Sequence, residues 1–152
     1  MIFRNRRHPP HLPTSETAAP ILLLTVCTKD RRAILANDAA HSLMRKAWQT
    51  YTDFSVGRYV ILPNHVHLFV GDNDVAAQSC ARWVAAWKAY VSRRWHNQKE
   101  RPIWQRSFWD RQMRSGHACD VKWLYVRNNP VRHGLVQRAE DWPFQGVIQV
   151  LG

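Results

Sequence analysis

A chain of 152 residues, 45% hydrophobic and with eight tryptophans, has material for one packed core and too little length for two. That composition argues against a disordered chain, and no apolar run reaches the roughly 18–20 residues that span a bilayer, the longest being Ile21 to Val26. With 22 Lys and Arg against 11 Asp and Glu, the net charge is +11 and polyanions are attracted, nucleic acid ahead of acidic membrane. Arg4, Arg6 and Arg7 are not followed directly by an apolar segment, which argues against a secretory signal. Cys27, Cys80 and Cys119 form no CxxC pair, so neither a disulfide framework nor a zinc cluster is indicated, and a reducing cytoplasm is expected.

Residues 1–20 hold Pro9, Pro10, Pro13 and Pro20 behind the basic start and read as an irregular arm; residues 21–152 read as one domain. Ile21 to Thr28 is apolar and β-branched, a central strand, and Lys29 to Arg32 turn the chain. From Asp38, Ala40, Leu43, Met44, Ala47, Trp48 and Tyr51 recur at helical spacing. Phe54 to Leu62 reads as a strand, Pro63-Asn64 as a turn, and His65 to Val70 as a strand antiparallel to it. A long helix is expected from about Asp74 to Trp95, its apolar stripe being Ala76, Cys80, Trp83, Val84, Trp87 and Val91. A polar loop ends in Pro102, and Ile103 to Met113 is a further strand. The last helix spans roughly His117 to Asn128 and is expected to stop near Asn129, because Pro130 disfavours the α conformation before it. Gly134 marks a turn before a short apolar tail.

This order is that of an α+β, ferredoxin-like βαββαβ core. Its antiparallel sheet would carry two helices on one face, leave the other face free for a ligand, and add a C-terminal helix.

From Trp83 to Trp109, Lys88, Arg93, Arg94, Arg101 and Arg106 are interleaved with Trp87, Tyr90, Trp95 and Trp104. Cations that neutralise a backbone, beside aromatic faces that stack unpaired bases, are how single strands are held. Many of those tryptophans are nevertheless expected in the core, because an aromatic at helical spacing usually packs there. DNA contacts are expected on Lys88, Arg93, Arg94, Arg106 and Arg111, with the Arg4–Arg7 arm as an addition.

Two short segments carry chemistry. In PNHVHLFV, residues 63–70, strand alternation sends His65, His67 and Phe69 to one face and Val66, Leu68 and Val70 to the core. Two imidazoles so spaced can bind one divalent ion, or be plain surface histidines. In WLYVRNNPVRHGLV, residues 123–136, Tyr125 and Asn129 lie one helical turn apart on a shared face. On their own they read first as a packed tyrosine and an ordinary helix C-cap, and only the combination with the histidine strand changes that weighing.

Together these segments resemble the single-tyrosine HUH transposases, and within them the REP-associated tyrosine transposases, relatives of the small insertion-sequence transposases. YVILPNHVHLFV (59–70), WQRSFWDR (104–111), NPVRHGLV (129–136) and the late DWPF (141–144) extend the likeness over most of the chain from about Ile21. The resemblance implies that His65, His67 and Asn129 bind a divalent Mg²⁺ or Mn²⁺, and that Tyr125 is the nucleophile. Insertion-sequence relatives often carry Gln where Asn129 stands. His133 matches a variable position and is expected at the surface.

The activity so implied is that of a metal-dependent DNA endonuclease and strand transferase. It would act on hairpin or palindromic DNA with a single-stranded flank, through a 5′-phosphotyrosine and a free 3′-hydroxyl. The family contains monomers and dimers, and both remain open. The alternatives are a basic nucleic-acid-binding regulator that keeps the fold without catalysis, and a metal-dependent hydrolase using water. No GxSxG elbow and no GxxxxGK[ST] loop occurs, against a serine hydrolase and against ATP use.

Overall fold

The run Ile21–Thr28 forms strand β1 and buries seven of its eight residues, as a strand covered on both faces must. In the computed structural model, which describes residues 21–72 and 79–151, it is followed by helix α1 (Asp38–Thr50) and strands β2 (Phe54–Ile61) and β3 (His65–Asp72). Helix α2 (Cys80–Arg93) and strand β4 (Trp104–Met113) come next. Helix α3 (Gly116–Arg127), a single turn α4 (Asn129–Arg132) and a short strand β5 (Gln145–Val147) complete the chain. The sheet order is β4-β1-β3-β2-β5, every pairing antiparallel, so the first four strands have the ferredoxin-like arrangement.

Strand parity divides the sheet. Leu22, Leu24 and Val26 of β1 and Val66, Leu68 and Val70 of β3 point to one face and meet Met44 and Trp48 of α1 and Trp83, Trp87 and Val91 of α2. Asn37 caps α1 by accepting from the Ala40 N–H at 2.8 Å. Ser79 does the same for α2, accepting from the Arg82 N–H at 3.3 Å. Its extended backbone starts that helix at Cys80 rather than Asp74, and Arg94 closes it before Trp95. Ala76, assigned to the stripe from sequence, and the arm 1–20 lie outside the described residues.

The other face is not free. Leu23 and Phe69 meet Val60, Leu62, Met113, Val126 and Trp142 in a second, smaller core, so α3 and the residues near the C-terminus cover much of it. Arg58 of β2 holds α3 by a 3.7 Å ion pair with Asp120 and a 5.4 Å approach of its guanidinium to the Trp123 ring. Trp142 donates through its indole N–H to the Ile61 carbonyl at 2.8 Å. Next to it β5, read from sequence as part of a tail, pairs Gly146 with Tyr59 on the edge of β2. A Cβ at Gly146 would stand 2.8 Å from the Tyr59 hydroxyl, so this closeness needs glycine.

Helix α3 stops close to where the sequence placed its end, at Arg127, and a further helical turn follows directly. Asn128, at φ −84° and ψ −1°, caps α3 and directly begins α4, where Pro130 occupies a first-turn position that needs no N–H. Among the described residues no helix is long and apolar enough to cross a membrane.

Replacing Trp142 with Phe keeps an aromatic ring in the second core but leaves the buried Ile61 carbonyl without its donor. A loss of about 1–3 kcal/mol is expected, read as a lower urea midpoint at unchanged slope.

Candidate active site

Alternation on β3 sends His65 and His67 to the face away from α1 and α2, where their rings approach to 4.8 Å between centroids at 86°. They line a cavity of about 370 Å³ whose floor is Leu23, Thr25 and Trp109 and whose wall is Lys122, Tyr125, Val126 and Asn129 of the last helical path. Arg31, Arg111 and His133 complete the rim. The sheet register explains the floor: Thr25 pairs with His67 on one side and with Trp109 on the other.

Each imidazole is held from behind. His65 Nδ1 lies 2.7 Å from Asn64 Oδ1, an acceptor only, so Nδ1 carries the proton and Nε2 the lone pair. His67 Nδ1 lies 2.9 Å from Thr25 Oγ1, a hydroxyl that can accept and fix the same tautomer. Neither Nε2 makes a hydrogen bond among the described residues. Burial, then the positive charges of Arg31 and His133, pushes the His65 pKa down to about 4. His67 is pushed down to about 3, first by burial and then by His65, Lys122, Arg132 and His133. Both are therefore neutral near pH 7, the form in which imidazole ligates a cation.

Tyr125 is 57% exposed, while Asn129, one turn on, is buried at 8%. Two cations approach the Tyr125 ring, Lys122 Nζ at 4.7 Å and the Arg132 guanidinium at 3.9 Å from its centroid. Arg132 also donates to Asn129 Oδ1. An amide oxygen has two lone pairs, so this bond leaves one available. Two imidazole Nε2 atoms and one amide oxygen suit a single divalent cation as a partial ligand set whose remaining positions would go to substrate or water. Among the described residues there is no cluster of three His, Cys, Asp or Glu. Among the described residues no carboxylate lines the cavity.

The four residues of the proposed reaction thus meet in one cavity, and so does Arg111. The other basic residues singled out from sequence stand elsewhere. Lys88 lies on α2, over the opposite face, half-buried, and donates to the carbonyls of Gln105 and Arg106 at 2.6 and 3.5 Å; burial lowers its pKa to about 8. Arg93 and Arg94 are exposed at the end of α2, Arg94 stacking on Tyr90 at 3.8 Å. Arg106 is exposed on β4. Trp83, Trp87, Tyr90, Trp95 and Trp104 are buried in the main core, as helical spacing led us to expect of many of them, so they offer no stacking faces to bases. Trp109 alone of these aromatics reaches the cavity. His133 is exposed, as expected, yet sits on the cavity rim. Thr25, Arg31, Lys122 and Arg132 were not singled out from sequence, since a threonine in a strand and lone cations carry no local signal.

The family model described as "Transposase IS200 like" matches residues 21–128. A curated REP-associated tyrosine transposase of Escherichia coli K12 is 30% identical over 128 residues, covering 79% of this chain and 72% of the relative. A solved structure of a REP-associated tyrosine transposase bound to a REP hairpin superposes with a TM-score of 0.68 at 24% identity, covering 91% of this chain and 82% of that one.

Because both histidine pKa values are depressed in the folded state, the neutral forms favour folding above pH 6.5, and that contribution is lost as pH falls from there toward 4 and 3. In chelator-treated protein, the imidazole NMR signals of His65 and His67 are expected to titrate below pH 5. Titration of either near pH 6.5 would contradict this environment.

Proposed function

The chain belongs to the IS200-like transposases and, within them, to the REP-associated tyrosine transposases, and from that premise we propose that it cuts and rejoins single-stranded DNA through Tyr125. The observation that carries the reading is the meeting of Tyr125, His65, His67 and Asn129 in one cavity that holds several cations and, among the described residues, no carboxylate. A phosphodiester is anionic, and such a cavity attracts it without repulsion.

Tyr125 Oη attacks the phosphorus, the bond to the 3′ oxygen breaks, and the 5′ phosphate remains esterified to the tyrosine. The phenolic proton is lost and the 3′ oxygen gains one, leaving a free 3′-hydroxyl. The ester keeps the bond energy, so a later 3′-hydroxyl can attack it and rejoin the strand without ATP. Lys122 and Arg132 hold the exposed Tyr125 ring. Asn64 and Thr25 hold His65 and His67 in the tautomer with Nε2 unprotonated. His65, His67 and Asn129 are the residues that would hold Mg²⁺ or Mn²⁺, which when bound polarises the phosphate and stabilises the departing oxygen. The substrate we propose is hairpin DNA with a single-stranded flank; the solved REP-associated relative is bound to a REP hairpin.

Tyr125→Phe removes one oxygen from a half-exposed ring, so folding and hairpin binding should persist while cleavage and the covalent adduct vanish from a denaturing gel. Tyr51→Phe, Tyr59→Phe and Tyr90→Phe should still form the adduct. Hairpin binding with no adduct from the unaltered protein would instead support a non-catalytic regulator.

His65→Ala or His67→Ala should abolish the adduct, as should EDTA, with restoration on adding Mg²⁺ or Mn²⁺ to the unaltered protein. Asn129→Ala should retain partial activity, because water can replace one oxygen ligand. Full adduct yield from either histidine variant would remove both rings from the mechanism.

A further inference from the structure

The cations of the cavity are grouped at its two ends. At the level of Leu23 stands its β4 partner Arg111, close enough to Lys122 to act on its charge. Two strand positions on are Thr25, His67 and Trp109, and two further is Cys27 opposite His65. At that second end Arg31 acts on His65, with the His133 imidazole beside it on the rim. Strand rise is about 3.3 Å per residue, so Leu23 to Cys27 alone spans about 13 Å. A nucleic-acid strand advances about 3.4 Å per nucleotide in a duplex and further when extended, so the floor is longer than one nucleotide.

Arg31 occupies this end through an unusual turn. Asp30 and Arg31 both have φ of 57°, the left-handed region that residues other than glycine seldom adopt. The turn is clamped on both sides. Thr28 Oγ1 donates to the Arg32 carbonyl at 2.8 Å, and the Thr28 N–H to the Asn64 carbonyl at 3.0 Å. The Lys29 N–H donates to the Ile103 carbonyl at 2.9 Å, and the Arg32 guanidinium reaches the carbonyls of Glu100 and Pro102. The Arg31 side chain lies at the cavity rim, and its Nη1 donates to Cys27 Sγ at 3.3 Å. Strain of this kind persists only where the surroundings over-determine it, and it gathers at ligand sites.

We propose that Arg31 is a phosphate-binding residue. It holds the DNA phosphate that flanks the scissile one at the His65 end of the cavity, while Arg111 and Lys122 serve the opposite flank. This rests on the reading that the cavity acts on DNA. It adds that the enzyme engages at least two consecutive phosphates of an unpaired strand laid along β1. Arginine suits the task because its planar fork meets two phosphate oxygens at once.

The test uses Arg31→Gly, since glycine adopts a φ of 57° without strain and the turn keeps its bonds. Its melting temperature should equal or exceed that of the parent. Binding is measured in a Tyr125→Phe background, where no cleavage intervenes, to a hairpin with a single-stranded flank whose phosphates are replaced one at a time by neutral methylphosphonate. In the parent, one flanking position should lose affinity about tenfold, the scale of one charge-assisted phosphate contact. Arg31→Gly should lose about as much against unmodified DNA and nothing more at that position, and its salt slope should fall by about 1. Arg31→Lys should recover part of the loss. Unchanged affinity in Arg31→Gly, or losses that multiply with neutralisation at every position, would overturn the assignment. Failure of the unaltered protein to form an adduct would count against Tyr125 chemistry and leave this binding result standing.

Discussion

Side chains on neighbouring residues of a strand must point to opposite faces, and on the central pair β1–β3 this alternation decides the rest of the molecule. Leu24 and Leu68, fully buried, anchor the helices on one face, while their neighbours Thr25 and His67 are committed to the other. A shift of one residue in the pairing would bury imidazoles in the main core and expose leucines. Stability and chemistry therefore share one register. The apolar half of the alternation sits on tryptophan-rich helices, so the site floor belongs to the best-packed strands.

Electrostatics act on that floor in two ways. Burial and surrounding cations strip the histidines of charge and leave them as lone-pair donors. The guanidinium and ammonium groups around them remain to meet an anion. Nucleases that rely on two metals use carboxylates to hold both ions, at the cost of negative charge beside the substrate. Here the two imidazoles and the amide are neutral, so a bound cation and an anionic phosphate would not compete with a carboxylate in this small cavity. Tyr125 stands on a helix packed over the sheet rather than in it, and is positioned by flanking cations instead of by burial.

Elements with a strong period were legible in the sequence. The β1, α1, β2–β3 and β4 segments announce themselves through alternation, helical spacing and the Pro63-Asn64 turn, and their order fixes the four-strand topology. The fifth strand escaped because three residues centred on Gly146 have no period; what creates it is the close approach to Tyr59. The covering of the second face escaped for a related reason. α3 has apolar residues on both sides, with Val126 buried and Leu124 at 61% exposure, so no stripe marks which side packs. The tryptophans between Trp83 and Trp104 are core, as their helical spacing implied, but the cations interleaved with them share none of the cavity, because a lone charge carries no signal of which face it joins. At the site, His65, His67, Tyr125 and Asn129 were readable because their spacing is local. Thr25, Arg31, Lys122 and Arg132 join them only through the sheet register, a strained turn and ring stacking.

The junction at Asn128 is at once the last cap of one helix and the first of the next, with no loop residue to absorb a change of length. Each residue advances the helical path by roughly 100°, so adding or removing one residue there would swing Asn129 and Arg132 off the face that carries Tyr125. Substitutions at the junction alter contacts by degrees, whereas a change of count moves whole side chains out of phase. The gap of four between Tyr125 and Asn129 is thus a mechanical tolerance of the fold, as strict for spacing as the chemistry is for residue type.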